Sequence, residues 1–331
     1  MIKIATVGTG SITEQLIQAM QQCREYEVVA IYSRSLEKGK KLAERYGVAK
    51  VYDDYQIMLK DSEIHFVYIA SPNSLHAKHA YEALSHGKHV IVEKPITANL
   101  QEFIKLKEFA EAKQLKIFEA ITILHQPNFK VIQEHVSSLG QIRMIQMNMS
   151  QYSSKYASFK EGQSPNVFTL EYAGGALMDI NVYNIHFLLA LFPNYKKVIY
   201  TPVIQQGIDT SGVLTILYDD FIASMVGSKD NIGKNFVQLQ GEKGYLYVEG
   251  SPSLVGASYL TLYKQEPIVL TDIKEYDVYY YEMKRIAEIF HSKDEAMYQS
   301  LLQHSYRVIR CLQQAKEAAG LVFENDKKET V

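Results

Sequence analysis

The 331-residue chain has no tryptophan, two cysteines, eight prolines and no excess of either charge. Each shortage excludes something. Cys23 and Cys311 lie far apart and without zinc-site spacing, so they build neither a disulfide framework nor a metal centre. That cysteine usage fits a reduced, cytoplasmic protein. With 35 Lys+Arg against 37 Asp+Glu, the formal net charge of -2 gives no field for nucleic acid or an acidic membrane. No apolar run reaches the ~18 residues that a membrane span needs. The opening MIKIATVG enters a strand pattern directly, with no basic n-region or cleavage site of a signal peptide. What is present is globular composition, 47% hydrophobic and 22% charged, which excludes a disordered chain. At ~150 residues per domain the length suggests two domains. Tyrosine is the abundant aromatic, with 24 residues, 17 of them after residue 120.

The two parts differ in pattern. Up to residue 120, short Val/Ile runs alternate with helical periodicity. Strands are expected at Ile2–Val7, Val28–Tyr32, Phe66–Ala70, His89–Val92 and Lys116–Phe118. Helices are expected at Ser11–Gln22, Leu36–Tyr46, Ser74–Ser85 and Leu100–Lys113. This is the signature of βαβ units and a doubly wound parallel sheet. Beyond residue 120 the alternation stops. A strand at Ile142–Ser150 leads into a polar loop over Tyr152–Pro165 and a helix from Gly174 or Leu177 to Phe192. Closely spaced strands follow at Lys197–Val203, Gly212–Tyr218, Ile222–Ser228, Phe236–Gly241 and Gly244–Val248, the pattern of a mostly antiparallel sheet. Two amphipathic helices, Tyr280–His291 and Glu295–Ala319, end at Gly320, and the charged residues Glu324–Val331 are expected to fray. The domains read as 1–120 and 121–331, the final helices being free to pack back on the first.

Gly8-Thr9-Gly10-Ser11-Ile12 sits between the first strand and the first helix. Gly8 permits the tight turn, and Gly10 lets a pyrophosphate approach the backbone. The helix N-terminus supplies free N–H groups and a positive dipole end. Thr13 stands where a third glycine would complete the fingerprint. The second strand ends in Tyr32-Ser33-Arg34-Ser35, with none of the acidic residues that an NAD-selective site places there. Ser33 and Arg34 instead suit a 2′-phosphate, so NADP is expected over NAD. The next strand end, Ser71-Pro72-Asn73 with His76, is a further cofactor contact, although Asn73 also suits a helix N-cap and His76 a polar helix position. A fifth strand runs into Glu93-Lys94-Pro95, where Pro95 restricts Lys94 to an extended backbone and aims its side chain. Alone, that tripeptide also suits a surface turn.

The segment Gly174-Gly175-Ala176-Leu177-Met178-Asp179-Ile180-Asn181-Val182-Tyr183-Asn184-Ile185-His186 carries a second constellation. On a helix, Asp179, Tyr183 and His186 share one face at i, i+4 and i+7. Such a face is often only solvated, and an acid in a first turn also serves the helix dipole.

The GTGSI turn, the EKP tripeptide and the GGALMDINVYNIH segment, in this order, resemble the Gfo/Idh/MocA family of NAD(P)-dependent oxidoreductases, over nearly the whole chain. The resemblance implies an N-terminal Rossmann domain and a C-terminal α+β domain with an open-faced, mostly antiparallel sheet, whose outer face is commonly a subunit interface. It implies that Lys94 lies near nicotinamide and substrate. It also implies that Asp179 and Tyr183 match the family's Asp-x-x-x-His/Tyr pattern. Many of the family's sugar dehydrogenases carry His where this chain has Tyr183, so the proton carrier lies among Tyr183, Lys94 and His186.

The reaction expected is reversible hydride transfer between nicotinamide and a secondary alcohol of a sugar, polyol or similar cyclic alcohol. Tyr183 is the acid–base group, helped by a cationic Lys94 because a free phenol titrates near ~10. Asp179 orients the substrate hydroxyl or holds Lys94, and no metal is required. Tyr152, His186, His125 and Lys94 are substrate candidates. The Tyr152–Tyr156 loop with Phe159, Lys160 and Asn166 can supply hydroxyl partners and aromatic faces, and Lys155 and Lys160 suit either an anionic group or the more common role of solvated loop charges. Two other readings are a non-catalytic NADP-binding sensor and an oxidoreductase that regenerates a tightly held cofactor in each cycle. A homodimer or homotetramer is expected, because an exposed sheet of Val, Ile, Leu and Tyr would otherwise be a large apolar patch.

Overall fold

Short Val- and Ile-rich segments with no polar face must be buried on both sides, and a parallel sheet between helices does this. The structure, a computed structural model that describes residues 1–327, forms six such strands. They are β1 (Ile2–Val7), β2 (Tyr26–Tyr32), β3 (Lys50–Tyr52), β4 (Phe66–Ile69), β5 (His89–Glu93) and β6 (Ile117–Ala120). Their order is β3-β2-β1-β4-β5-β6, every adjacent pair parallel. The order reverses at β1 and β4, where open sheets of this kind bind ligands beyond the strands' carboxyl ends. The connecting helices are α1 (Ser11–Cys23), α2 (Leu36–Tyr46), α3 (Tyr55–Leu59), α4 (His76–Ser85) and α5 (Leu100–Ala112). Local chemistry sets their ends. Ser35 Oγ accepts from Lys38 N to start α2, Gly47 at φ +70° ends it, and Asn99 Oδ1 accepts from Glu102 N at 2.9 Å to start α5.

The chain divides into two compact units, Met1–Ile121 with Tyr276–Ser305, and Thr122–Glu275 with the chain from Tyr306 onward. The second unit holds α6 (Pro127–His135), β7 (Ile142–Ser150), α7 (Tyr156–Lys160) and a π-helical turn, Leu177–Asn181, that continues as α8 (Val182–Leu191). Strands β8 (Lys197–Gln205), β9 (Ile208–Leu217), β10 (Ile222–Ser228), β11 (Phe236–Gly241), β12 (Gly244–Glu249), β13 (Ser258–Leu262) and β14 (Ile268–Thr271) complete it. The sheet order is β14-β13-β12-β11-β7-β10-β9-β8, antiparallel throughout except for the parallel pair β7–β10. One sheet face, with Tyr200, Leu214, Met225, Leu239 and Leu246, is buried, and the π turn and α8 pack on that side. The other face leaves Ile199, Val203, Val213, Ile222 and Tyr245 exposed.

After β14 the chain returns to the first unit as α9 (Val278–Ser292), which packs on α1. Tyr26 Oη donates to Met283 O at 2.9 Å, and Phe290 meets Phe66 edge-on at 4.8 Å. The long α10 (Glu295–Ala319) starts in the first unit and ends in the second.

Two expectations are corrected. The polar stretch Tyr152–Pro165 is not all loop, since Tyr156–Lys160 forms α7, with Tyr156 and Phe159 buried beside Phe168. The frayed tail is also replaced, in its first half, by a short helix, α11 (Glu324–Lys327). Lys316, 1% exposed, donates to both Asp326 oxygens at 2.8 and 3.2 Å, and Phe323 is fully buried, so a buried ammonium on a partly exposed carboxylate anchors the turn. Residues 328–331 of that expected frayed stretch lie outside the described residues.

The Gly174-Gly175 entry to the π turn has a steric cause. A Cβ on Gly174 would meet Val167 C and Asn166 O at 2.7 and 2.8 Å. Gly175, at φ +95°, lies under the Asp209 carboxylate. That carboxylate takes two donors on one oxygen, Leu177 N at 2.7 Å and Tyr200 Oη at 2.8 Å. Burial pushes its pKa up to about 6, against the bonds from Leu177 and Tyr200. A raised folded-state value means stability that is full below pH ~4 and falls as pH rises through about 6. Asp209→Asn keeps an acceptor for both donors and cannot ionise. In urea melts from pH 4 to 8 the variant should match the wild type at the acid end. It should exceed it by up to about 3 kcal/mol at pH 8.

Candidate functional site

In the first unit the candidate residues gather at the carboxyl ends of β1, β2, β4 and β5. Gly8, at φ +115°, follows β1, and its N–H donates to Tyr32 O at 3.0 Å. A Cβ there would stand 2.9 Å from Ala70 O, so the turn admits only glycine. Gly10 is the N-cap of α1, without a side-chain cap, and a Cβ on it would meet nothing within 4 Å. Gly10 and Ser11 are exposed, Ile12 is half-buried, and the buried Thr6 and Thr13 hydroxyls have no hydrogen-bond partner among the described residues. An open, uncapped helix N-terminus beside a glycine turn is a site for a pyrophosphate.

Ser33 is buried and accepts from Ser35 N at 3.2 Å, while Arg34 is exposed. Ser71 Oγ lies 3.0 Å from His79 Nδ1, and Tyr55 packs between the rings of Tyr32 and His79 at 5.2 and 4.9 Å. Burial first, then the positive surroundings that include Arg34, pushes His79 down to about 4, so the ring is neutral at physiological pH. His79 was not among the sequence candidates; it is one helical turn from His76 and carries no motif of its own.

His76 differs from expectation. It is 1% exposed, and its Nδ1 and Nε2 lie 2.9 and 2.8 Å from the carbonyl oxygens of Pro95 and Ser71. Burial lowers the pKa of the ring, and a neutral imidazole has one N–H to give to one of these carbonyls, so the ring sits between the Pro95 turn and the end of β4. Asn73 opens a 3₁₀ turn, Asn73–Leu75, with Pro72 at the cap position. Lys94 is half-buried, its bond to the buried Pro95 is cis, and its N–H donates to Glu93 Oε2 at 3.2 Å. Tyr68 Oη donates to Glu93 Oε1 at 2.6 Å, and Ile96 N donates to Glu119 Oε1 at 3.0 Å. The side chain of Lys94 therefore stands on a loop pinned by Glu93, Glu119 and His76. Glu282 of α9 lies close enough to Glu93 and Glu119 to feel their charge, is 1% exposed, and has neither oxygen hydrogen-bonded among the described residues. Burial, reinforced by Glu93 and Glu119, holds its carboxyl well above the usual carboxylate range.

In the second unit every residue from Ala173 to Leu189 is buried except Asp179 and Tyr183. An apolar helix buried all round normally shows no polar window. Here it has one, of two residues. His186 does not share it. His186 lies three residues beyond Tyr183 on α8 and is fully buried. Asp179 Oδ2 accepts from Lys229 Nζ at 2.7 Å, a lysine that sequence reading missed because it stands outside any motif. Tyr152 is 44% exposed and meets Tyr156 edge-on at 5.5 Å. His125 ends the 3₁₀ turn Thr122–His125 and is half-buried.

Residues 2–121 match the model of an oxidoreductase family described as an NAD-binding Rossmann fold, and residues 131–247 match the Gfo/Idh/MocA C-terminal domain. The chain is 30% identical over 329 residues to a scyllo-inositol 2-dehydrogenase (NADP(+)) of Bacillus subtilis, covering 98% of this chain and 99% of that one. It is 35% identical over 250 residues to the uncharacterized oxidoreductase YgjR of Escherichia coli, 75% of this chain and 76% of that one. Among solved structures, a 3-ketoreductase from Actinomadura kijaniata with NADP and TDP-benzene superposes with a TM-score of 0.85 at 20% identity. It covers 96% of this chain and 98% of that one. A levoglucosan dehydrogenase reaches a TM-score of 0.80 at 16% identity, over 96% of this chain and 97% of that one. At these identities the structural likeness establishes the fold alone.

Glu282 makes the first unit sensitive to pH. Its folded-state value is raised, so its contribution is full at acid pH and is lost as pH rises toward that value. Glu282→Gln, neutral at every pH, should melt above the wild type at pH 8, with the gap narrowing at pH 5 in a thermal scan. Equal gaps at both pH values would show that the carboxyl is not held neutral.

Proposed function

Because this chain belongs to the Gfo/Idh/MocA oxidoreductase family, we propose that it moves a hydride between a nicotinamide cofactor and a carbinol or carbonyl carbon of a sugar, polyol or similar cyclic alcohol. The observation that carries this reading is the two-residue polar window of Asp179 and Tyr183 in an otherwise buried helix. Lys94 adds a cation at the carboxyl end of β5. A similar chain is named an inositol dehydrogenase, which supports the substrate class.

The first unit's residues fit a dinucleotide. The glycine turn and uncapped α1 would take the pyrophosphate, with Ser71 and Pro72 beside it. Ser33 and the exposed Arg34, with no acidic residue at the end of β2, favour a 2′-phosphate, hence NADP over NAD. A bound nicotinamide would supply or accept the hydride. The chain's own residues handle the proton and the charge. The Tyr183 phenolate takes the hydroxyl proton in oxidation, and the phenol so formed returns it in reduction. The Lys94 ammonium stabilises the alkoxide charge that develops as the hydride moves. Asp179 accepts a hydrogen bond from a substrate hydroxyl and so orients the carbinol. Tyr152 offers an exposed ring to an apolar sugar face.

A screen of sugars and polyols with NADP and NAD, followed by reduced-nicotinamide absorbance, tests the reading. NADP should be preferred at least ~10-fold in kcat/KM, and Arg34→Ala should narrow that preference. Tyr183→Phe should lower kcat by ~10²-fold or more while cofactor affinity is kept. Lys94→Ala should do so as well, and the double variant should lose little more than the worse single one. Cofactor binding with no turnover on any substrate would favour a sensor, and near-normal turnover of Tyr183→Phe would remove it as proton carrier.

We also propose a homo-oligomer, a dimer or tetramer, acting in the cytoplasm, where both free thiols would stay reduced. The outward sheet face, with Val203 at 52% and Val213 at 39% exposure, supports the oligomer. Sedimentation at micromolar concentration should give at least twice the 37.8 kDa chain mass, and a monomer would overturn the assignment.

A further inference from the structure

Lys229, directly after β10, is a lysine with almost no water. Its side chain is 2% exposed, against 30% for the Asp179 carboxylate that it meets. Its ammonium donates to Asp179 Oδ2 and to Val167 O, both at 2.7 Å, and lies 4.6 Å from the centre of the Phe168 ring. Its own N–H donates to Thr210 O at 2.8 Å, so its backbone is fixed to β9. Val167 O also accepts from Gly175 N at 3.1 Å, so one carbonyl serves both the glycine entry of the π turn and the ammonium. Neighbouring carboxylates are engaged elsewhere. Asp230 accepts from Thr210, Ser211, Gln205, Ser228 and Asn231, and Asp209 from Leu177 and Tyr200. Among the described residues, Asp179 is the carboxylate that pairs with Lys229.

A buried ion pair stabilises a fold little more than apolar side chains of the same volume would, so its presence in an apolar layer asks for another reason. Here one partner is sealed in and the other faces out through the helix's polar window. An ammonium held by Val167 O and the Phe168 ring, on a backbone bonded to β9, is a fixed point, and the carboxylate bonded to it cannot swing to another rotamer without leaving a buried charge without its counter-ion. We propose that Lys229 is a positioning residue of this enzyme, which fixes the Asp179 carboxylate, ionised, in the orientation in which it meets the substrate hydroxyl. The proposal rests on the role given to Asp179 above.

Asp209 from β9 lies close enough to Lys229 to feel its charge, and the Phe168 ring faces the ammonium. Lys229 bonds Asp179 directly, so its loss removes a positive charge that favours the ionised carboxylate. Lys229→Met should lower kcat/KM by ~10–100-fold, mainly through kcat. It should also move the acid limb of the kcat/KM profile to higher pH. Lys229→Gln, which keeps a donor without the charge, should restore part of kcat but not the acid limb. In an Asp179→Asn background Lys229→Met should cost less than ~3-fold more, because the lysine acts only through the carboxylate. That double variant leaves no buried unpaired charge, so it is the one to compare with Asp179→Asn if Lys229→Met alone does not fold. Damage that multiplies in the double variant, or a Lys229→Met enzyme with unchanged kcat/KM and pH profile, overturns the link. A damaging Asp179→Asn with a silent Lys229→Met sinks the link alone; a silent Asp179→Asn with a damaging Lys229→Met sinks the role of Asp179 and the link together.

Discussion

A helix that starts inside a protein must satisfy its first backbone donors without water, and in the second unit Asp209 does this. Its carboxylate can reach Leu177 N because Gly175 has no side chain beneath it. Gly174 in turn lets the Asn166–Val167 backbone close in, and Val167 O then bonds both Gly175 N and Lys229 Nζ. The direction in which the π turn leaves Gly175 decides which side chains of an apolar segment reach the surface, and those are Asp179 and Tyr183. The polar window, its buried lysine and the packing of α8 on the sheet all follow from one carboxylate seated on one glycine. The cost is a buried acid whose ionisation opposes the fold.

The first unit solves a related problem differently. It leaves the N-terminus of α1 open, with glycine at the cap, and spends its hydrogen bonds on the neighbouring loops. His76 lies between the carbonyls of Pro95 and Ser71, Glu93 is held by Tyr68, and Glu119 receives Ile96 N. The effect is a rigid rim around an uncapped helix end, which suits a site that gains its partner on binding. Glu282 adds a buried, proton-holding carboxyl behind that rim, brought from more than 180 residues away in sequence by α9.

Much of this was legible beforehand. The parallel strands announced themselves because a strand buried on both faces has to be apolar throughout, as Phe66–Ile69 is. The short strand Lys50–Tyr52 and the edge pair β13–β14 were missed. Lys50–Tyr52 and most of β14 are half-exposed or exposed, so their side chains carry little of the alternation that burial imposes, whereas β13 buries Ser258 and Leu260. Helix α7 was missed because its residues read as a polar loop until Phe159 and Tyr156 find Phe168. At the site, Asp179 and Tyr183 stood out by spacing. His186 was grouped with them on a helical wheel, which does not record what packs on each face, and it is fully buried.

The sequence by itself determined the two sheet types, the glycine turn after β1, the lysine before Pro95 and the carboxylate–phenol pair, because each depends on neighbours a few residues away. The tertiary structure decided which polar groups are sealed in and which are open. His76 became a buried link between two loops and His186 an interior residue, while Lys229 and Asp209 in the second unit and Glu282 in the first, with no motif to mark them, became buried ionisable groups. The reason is physical: burial and pairing depend on what distant segments bring to the same place, and no local spacing records that.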